Sequence, residues 1–232
     1  MIVTKKKAFS AGILFSVLMA MGFFCGATDE VVYSLDFAKA RGNPVSYLAR
    51  KGFVLKKDAD DLSLSFKNGA LELAPPSPLF GVIINDSIHI NDFSKIRIEW
   101  GILEYPEGAS YEKDINNEAI MVYIFFGDKK LSSDSLFIPN SPYFIGLFLG
   151  QHDVSGKMYT GHHFTAGGRF VCVGSPKQGE TVTTEFELKP AFKKYFNQVE
   201  VPFVSGISLE VDTSYLDNGQ SKAFIKKIEI LK

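Results

Sequence analysis

The sequence predicts an all-β protein: an antiparallel two-sheet sandwich, jelly-roll-like, with two short peripheral helices. About ten segments alternate apolar and polar residues with the period of two that is typical of strands. Turn residues separate these segments, and the strand–helix–strand rhythm of a parallel sheet is not present. A single domain is expected, because 232 residues with 46% hydrophobic content can bury a sizeable core and sandwiches of this length commonly form one domain.

Two segments in the middle of the chain carry the clearest strand signals. Residues 95–105 place Ile96, Ile98 and Trp100 at alternate positions, with charged residues between them. Residues 119–126 are apolar at both parities. Because a strand with two apolar faces has to be covered on both sides, the second segment is predicted to be a central strand.

Near the N-terminal side of the domain, the residues from Asn43 to Gly52 carry the signals of a short helix. Asn43 can cap its N-terminus, and Pro44 suits the first helical position. Gly52 can adopt the left-handed conformation that ends a helix. We expect this helix to cover one edge of the sandwich.

The other predicted elements are one hairpin turn, a second helix and eight strands. Asn68 and Gly69 predict a type I′ turn between two strands, because both residues tolerate positive φ. The second helix is predicted to begin at Pro190. The remaining strands are predicted at residues 31–37, 81–85, 87–90, 143–149, 169–173, 180–188, 204–212 and 223–230.

The N-terminal segment has the parts of a signal peptide. Lys5, Lys6 and Lys7 form a positive region, and residues 8–24 form an apolar run. Small residues follow, and cleavage is predicted after Ala27. The signal peptide would therefore comprise residues 1–27 and the mature domain residues 28–232, exported to the periplasm or secreted, with no membrane span after cleavage.

Two alternatives to simple cleavage remain open. Cys25 would be acylated in a lipoprotein signal, although Phe24 stands where such a signal needs a small residue. The apolar run would otherwise stay as an uncleaved membrane anchor, although it is at the short end for spanning a bilayer.

Charge and cysteine content restrict the partners and the covalent chemistry. Removal of three lysines and no acid with the signal peptide changes the formal net charge from −1 to −4. A mildly acidic surface argues against nucleic acid as a partner. The mature chain keeps only Cys172, so no intramolecular disulfide can form. Because its neighbours are apolar, Cys172 is predicted to be a buried core thiol. The oligomeric state is left open.

Four further segments are informative: residues 99–108, 118–126, 204–213 and 221–229. Together they resemble a family of exported bacterial proteins catalogued as a domain of unknown function. The resemblance covers roughly residues 31 to 231. The general shape of the family is similar to carbohydrate-binding jelly rolls, in which a concave sheet face holds sugars. The resemblance implies this fold and brings no established activity.

A candidate binding face follows from the alternation of side chains. If one sheet is concave and wet, six residues at positions opposite the core parity line it: Arg97, Glu99, Tyr123, Glu185, Glu210 and Asp212. Carboxylates, a guanidinium and a ring suit a sugar, whose hydroxyls need fixed hydrogen-bond partners and whose C–H face packs on aromatics. The alternative is a solvated sheet face with cross-strand ion pairs.

The sequence therefore predicts a non-enzymatic exported binding domain for a glycan or a cell-envelope saccharide. One alternative is a polysaccharide-cleaving enzyme that uses two carboxylates of the concave sheet. Another is a structural or protein-interaction module of the envelope, with an exposed apolar patch around Phe144 and Phe148. No catalytic residue is assigned, because the nucleophile-elbow, P-loop and HExxH motifs are absent from the sequence.

Two groups of potential metal ligands occur in the chain. One is a loop with His152, Asp153, His162 and His163. The other consists of Asp212, Asp217 and Asn218. The first matches no standard zinc spacing, and the second lacks the regular spacing of an EF-hand loop. No metal site or cofactor is therefore predicted, and a structural calcium ion at the second group remains the alternative.

Overall fold

A computed structural model describes residues 29–232 of the protein. The predicted signal peptide, its cleavage position and Cys25 lie outside the described residues. The described chain has two α-helices, α1 (Pro44–Arg50) and α2 (Leu188–Phe196). Its strands are β1 (Val31–Asp36), β2 (Val54–Lys57), β3 (Ser63–Lys67), β4 (Ala70–Ala74), β5 (Phe80–Asn85), β6 (Lys95–Glu104), β7 (Glu118–Leu131), β8 (Ser141–Leu149), β9 (Met158–Tyr159), β10 (Gly168–Gly174), β11 (Val182–Glu187), β12 (Val204–Asp212) and β13 (Lys222–Leu231).

The strands form two sheets, and the predicted fold class is confirmed. The first sheet has the order β11-β6-β13-β4-β3, with β1 also paired to β13. The second sheet has the order β2-β5-β12-β7-β8-β10-β9. Their pairs are antiparallel except β8 and β10, which run parallel because residues 150–167 carry the chain back to the start of β8. The result is a β-sandwich with peripheral helices and jelly-roll-like character.

The main core lies between the two sheets, and the two central segments of the sequence contribute to it from opposite sides. Trp100 of β6 is fully buried there, and its Nε1 donates a hydrogen bond to Thr184 Oγ1 at 2.9 Å. Val122 and Ile124 of β7 face the same core. The other face of β7 packs into a second apolar cluster. The prediction that β7 is covered on both faces is confirmed.

Helix α1 has the predicted ends. Asn43 Oδ1 accepts a hydrogen bond from the Ser46 N–H at 2.8 Å, and Pro44 is the first helical residue. Gly52 has φ +85°. The chain then returns so that Phe53 N–H donates to the Leu48 carbonyl at 3.0 Å. The helix closes one edge of the sandwich, with Leu48 fully buried.

The cap at Asn43 gives a first testable prediction. Asn43→Ala removes the acceptor for a backbone N–H at the helix start, so we expect the free energy of unfolding to fall by about 1 kcal/mol. Urea denaturation measures this change. Asn91→Ala, at an exposed asparagine outside the helices and strands, is the control and should change stability by less than about 0.5 kcal/mol. Equal effects of the two substitutions would contradict the cap.

Several predicted elements differ from the structure. Strand β7 extends to Leu131, beyond the predicted end at residue 126, and strands β2 and β9 were not predicted. Residues 87–90 do not form a strand, and only Ile90 bridges to Val204. Helix α2 begins at Leu188, two residues before the predicted start at Pro190.

The predicted type I′ turn is present, with φ 51° at Asn68 and 73° at Gly69. Within residues 29–232, no helix has the length and apolar character to cross a bilayer.

The two ends of the sandwich carry opposite charge. At one end, the connections are residues 58–62, 75–79, 105–117, 150–157, 175–181 and 213–221; they hold nine acidic and three basic side chains, a net formal charge of −6. We call this the acidic end. At the other end, the connections are residues 37–53, 68–69, 86–94, 132–140, 160–167 and 188–203; they hold seven basic and four acidic side chains, a net of +3. We call this the basic end.

Candidate functional site

The six residues predicted to share one face are divided between two faces. Three lie on the outer face of the first sheet, Arg97, Glu99 and Glu185, and three on the outer face of the second, Tyr123, Glu210 and Asp212. The prediction of a single face is therefore wrong. Alternation shows which side chains point away from the core, but it does not show to which sheet a strand belongs. The structure places β6 and β11 in one sheet and β7 and β12 in the other.

The three residues on the first sheet are held in ion pairs. Arg97 Nε contacts Glu185 Oε1 at 2.7 Å, and Arg97 Nη1 contacts Glu229 at 3.5 Å. Glu99 pairs with Lys226 at 3.3 Å. Hydrogen bonds from Arg97 and Lys95 hold the pKa of Glu185 below its ordinary value. This is the arrangement of a solvated sheet face with cross-strand ion pairs.

The three residues on the second sheet join a group of neighbouring side chains that we call the acid–tyrosine cluster: Tyr111, Glu118, Tyr123, Glu210 and Asp212. The Tyr123 hydroxyl donates to Glu210 Oε1 at 2.6 Å. The Tyr111 hydroxyl donates to Glu118 Oε2 at 2.8 Å. Glu118 and Glu210 are only 2% and 9% exposed. The structure therefore concentrates acids and tyrosine hydroxyls on one sheet face, next to the acidic end.

Two carboxyls of the cluster, Glu118 and Glu210, lie close enough together for each to affect the protonation of the other. Burial raises the pKa of Glu210 to about 8, and burial together with the neighbouring Glu210 raises the pKa of Glu118 well above its ordinary range. The pair therefore retains protons at neutral pH. The two carboxyl groups of a glycosidase flank the bound sugar. Glu118 and Glu210 are both buried, so this pair does not flank an open cleft.

Asp212 is the most accessible acid of the cluster. Its Oδ1 accepts hydrogen bonds from Asn117 Nδ2 at 3.0 Å and from the Ser214 N–H and Oγ at 2.9 and 2.7 Å. All three bonds go to Oδ1, so they orient the carboxylate and leave Oδ2 without these donors. Tyr215 follows in the same segment, and 73% of its surface is exposed.

The connection 105–117 covers the buried part of the cluster. The ring of Tyr111 stacks on Phe148 with centroids 4.4 Å apart and planes 27° apart. Glu112 anchors this connection to the next loop, because Glu112 accepts hydrogen bonds from Lys157 Nζ at 2.7 Å and from the Tyr159 hydroxyl at 2.6 Å. The connection 105–117 thus places an aromatic ring on the sheet.

The apolar residues under this cover are not a surface patch. Phe144 and Phe148 are 4% and 1% exposed. The expectation of an exposed patch around these two residues is wrong, because the connection 105–117 and the loop before β10 fold over them. Cys172 belongs to the second apolar cluster, together with Phe144 and Phe148, and is fully buried, as predicted. Burial raises the pKa of its thiol.

The residues proposed as metal ligands do not converge. Within residues 29–232, no group of three or more His, Cys, Asp or Glu side chains is arranged to hold a metal ion. In the segment considered for calcium, Asp212 Oδ1 is already bound by protein donors, and Asn218 Oδ1 accepts from the Gln220 N–H at 3.2 Å. These oxygens accept hydrogen bonds within turns of the chain.

The residues that sequence reasoning missed are Tyr111, Asn117, Glu118 and Tyr215. Glu118 has the parity of the core residues of β7, but the pairing of β12 with β7 shifts by one residue between Glu210 and Asp212. The shift turns Glu118 to the tyrosine side. For Tyr215, an aromatic residue in a polar connection was a usable signal.

No family model and no curated protein matches the sequence. Several solved structures are similar. A mutant of the Emp46p carbohydrate recognition domain aligns over 88% of this chain and 97% of its own, with 13% identity and a TM-score of 0.47. A mutant of the family 29 carbohydrate-binding module CBM29-2, complexed with mannohexaose, aligns over 88% and 91%, with 14% identity and a TM-score of 0.38.

A third similar structure is the glycoside hydrolase domain of Endo-D from Streptococcus pneumoniae R6. It aligns over 77% of this chain but 21% of its own, with 8% identity and a TM-score of 0.37. The solved structures that resemble this chain thus include carbohydrate-binding modules and a carbohydrate recognition domain. At these identities and TM-scores the likeness assigns no residue of this chain to a role.

Proposed function

We propose that the protein is a non-enzymatic, exported saccharide-binding domain, and that the sugar binds at the exposed margin of the acid–tyrosine cluster. The observation that carries the proposal is the placement of an oriented carboxylate, Asp212, and an exposed ring, Tyr215, in one short segment. A carboxylate with an unengaged oxygen accepts hydrogen bonds from sugar hydroxyls. An exposed ring packs against the C–H face of a pyranose.

The buried part of the cluster supports this margin from below. The Tyr123 hydroxyl donates a hydrogen bond to Glu210 Oε1 at 2.6 Å, and Glu210 is two residues before Asp212 on β12. A site built on a strand with locked neighbours is rigid, so little order has to be gained when a ligand binds. Export is supported by the lysines and the apolar run at the N-terminus of the sequence.

The charge of the acidic end restricts the class of sugar. Asp212 and Tyr215 lie beside connections with a net formal charge of −6. Uronates and phosphorylated envelope sugars are repelled by such a field, whereas neutral and amino sugars are not. We therefore expect neutral or amino-sugar oligosaccharides as ligands.

The test is a titration of the purified protein with neutral hexose oligosaccharides, amino-sugar oligomers and uronate oligomers. Tyr215→Ala and Asp212→Asn are each expected to weaken binding about tenfold or more, which is about 1.4 kcal/mol. Asp212→Asn keeps the acceptor for Ser214 and removes the charge. Phe137→Ala is the matched control, because Phe137 is 94% exposed at the basic end and should leave affinity unchanged.

Two outcomes would overturn the proposal. One is the absence of binding to any member of the panel by a sample shown to be folded by circular dichroism. The other is an equal loss of affinity in Tyr215→Ala and Phe137→Ala. Release of reducing ends from a polysaccharide, lost in Glu210→Gln, would instead identify the polysaccharide-cleaving enzyme.

A further inference from the structure

A cleft of about 540 Å³ opens on one side of the sandwich, away from the acid–tyrosine cluster. Val182, Thr184 and Phe186 of β11 form one wall, and Val171 and Val173 of β10 contribute to the other. The three β11 residues face between the sheets, yet each is partly exposed. The two sheets are therefore incompletely closed along β11.

The cleft runs beside a free strand edge. Within residues 29–232, β11 pairs with β6 and with no other strand, and it is the last strand of the first sheet. Such an edge presents unpaired backbone N–H and C=O groups that can pair with a further strand. A strand added there would place alternate side chains into the cleft and the others on the outer face.

Charges on the outer face of the first sheet alternate in sign toward this edge. Glu229 of β13 lies opposite Arg97 of β6, and Arg97 lies opposite Glu185 of β11. In the next row, Lys95 lies opposite Glu187. Each row ends in an acid at the free edge. Since opposite charges are favourable at directly opposed positions, a further strand would complete both rows with basic residues.

We propose that β11 is the docking edge for an extended segment of a partner protein in which apolar residues alternate with lysine or arginine. The apolar side chains of that segment enter the cleft between β10 and β11, and its basic side chains face Glu185 and Glu187. Backbone hydrogen bonds to β11 supply affinity, and the alternate side chains supply specificity.

The same charges argue against a second copy of this chain as the occupant. Antiparallel pairing of β11 with itself puts residues of the outer face opposite one another. Thr183, Glu185 and Glu187 occupy that face, so acidic side chains of the two copies would be brought together. Like charges at opposed positions are destabilising. A basic segment has the complementary pattern.

The experiment uses a short labelled peptide in which lysine and valine alternate, titrated into the purified protein and followed by fluorescence anisotropy. A peptide with glutamate in place of lysine is the charge-reversed probe. We expect saturable binding of the lysine peptide and at least about tenfold weaker binding of the glutamate peptide. Val173→Trp fills the cleft, and Glu187→Lys reverses a charge at the edge. Each substitution should weaken binding of the lysine peptide about tenfold.

The control for non-specific attraction is Asp217→Lys, an equal change of charge at an exposed position of the acidic end. It should leave binding of the lysine peptide nearly unchanged. Glu187→Gln repeats the edge test in case the lysine at this position disturbs α2. Hydrogen exchange locates the peptide, and protection of β11 amides is the expected result.

Three results would overturn the proposal. They are equal affinity for the two peptides, equal effects of Glu187→Lys and Asp217→Lys, and protection confined to the loops of the acidic end. Protection of β11 by an oligosaccharide from the panel, with none by the lysine peptide, would assign the cleft to a sugar and would also reject peptide docking. Circular dichroism of each variant excludes misfolding as the cause.

Discussion

Raising the pH from about 5 to about 8 is expected to lower the free energy of unfolding by about 2 to 5 kcal/mol, through the Glu118–Glu210 pair. In the folded protein, burial raises the pKa of Glu210 from 4.5 to about 8 and the pKa of Glu118 well above its ordinary range. In the unfolded chain both carboxyls titrate normally. Between these pH values the folded state therefore binds more protons, and its stability decreases as the pH rises. Each unit of pKa difference corresponds to about 1.4 kcal/mol.

The measurement is urea denaturation at a series of pH values for the wild type, Glu210→Gln and Glu118→Gln. Glutamine resembles the protonated carboxyl, so each substitution should flatten the decrease in stability. Asp217→Asn changes an exposed acid outside the pair, so its unfolding free energy should depend on pH as that of the wild type does. A wild-type stability that is constant or rises from about pH 5 to about pH 8 would show that the pair does not hold its protons.

Gly101→Ala is expected to lower the free energy of unfolding by about 3 kcal/mol, the upper part of the range for overpacking. A Cβ on Gly101 of β6 would collide with the Glu180 carbonyl oxygen and with the ring of Phe224. The carbonyl belongs to the backbone, and Phe224 is 7% exposed, so neither can move freely. The connection 175–181 would have to shift away from β6.

Gly174→Ala is the matched control, because Gly174 also lies in a strand and has no positive φ. A Cβ there would meet only Leu149 Cδ2, at an ordinary contact distance of 3.5 Å. We expect a change of less than about 0.5 kcal/mol in its unfolding free energy. Thermal and urea denaturation of both variants compare the two positions, and equal stabilities would mean that the close approach at Gly101 is easily relieved.

Much of the fold could be predicted because most strands carry their own evidence. In β6, apolar residues up to Trp100 alternate with the charged residues Arg97 and Glu99, and β7 is apolar on both faces. Both patterns are local. The turn at Asn68 and Gly69 and the cap at Asn43 depend on residues a few positions apart. Pairing is a long-range property, and no local pattern indicated that β10 runs parallel to β8.

The candidate site was predicted only in part for the same reason. Alternation along β12 correctly brought Glu210 and Asp212 onto one face and suggested Tyr123 beside them. It could not separate Arg97 from these residues, because the two sheets have the same alternation. Glu118 was missed because a one-residue shift in pairing reverses the side to which a residue points.

The opposite charges at the two ends of the sandwich give the molecule an electric dipole along its strands. A surface rich in phosphate or carboxylate attracts the basic end and repels the acidic end. This torque holds Asp212 and Tyr215 away from such a surface and toward the surrounding medium. It weakens as salt is added, because mobile ions screen charges over about 10 Å at 0.1 M ionic strength.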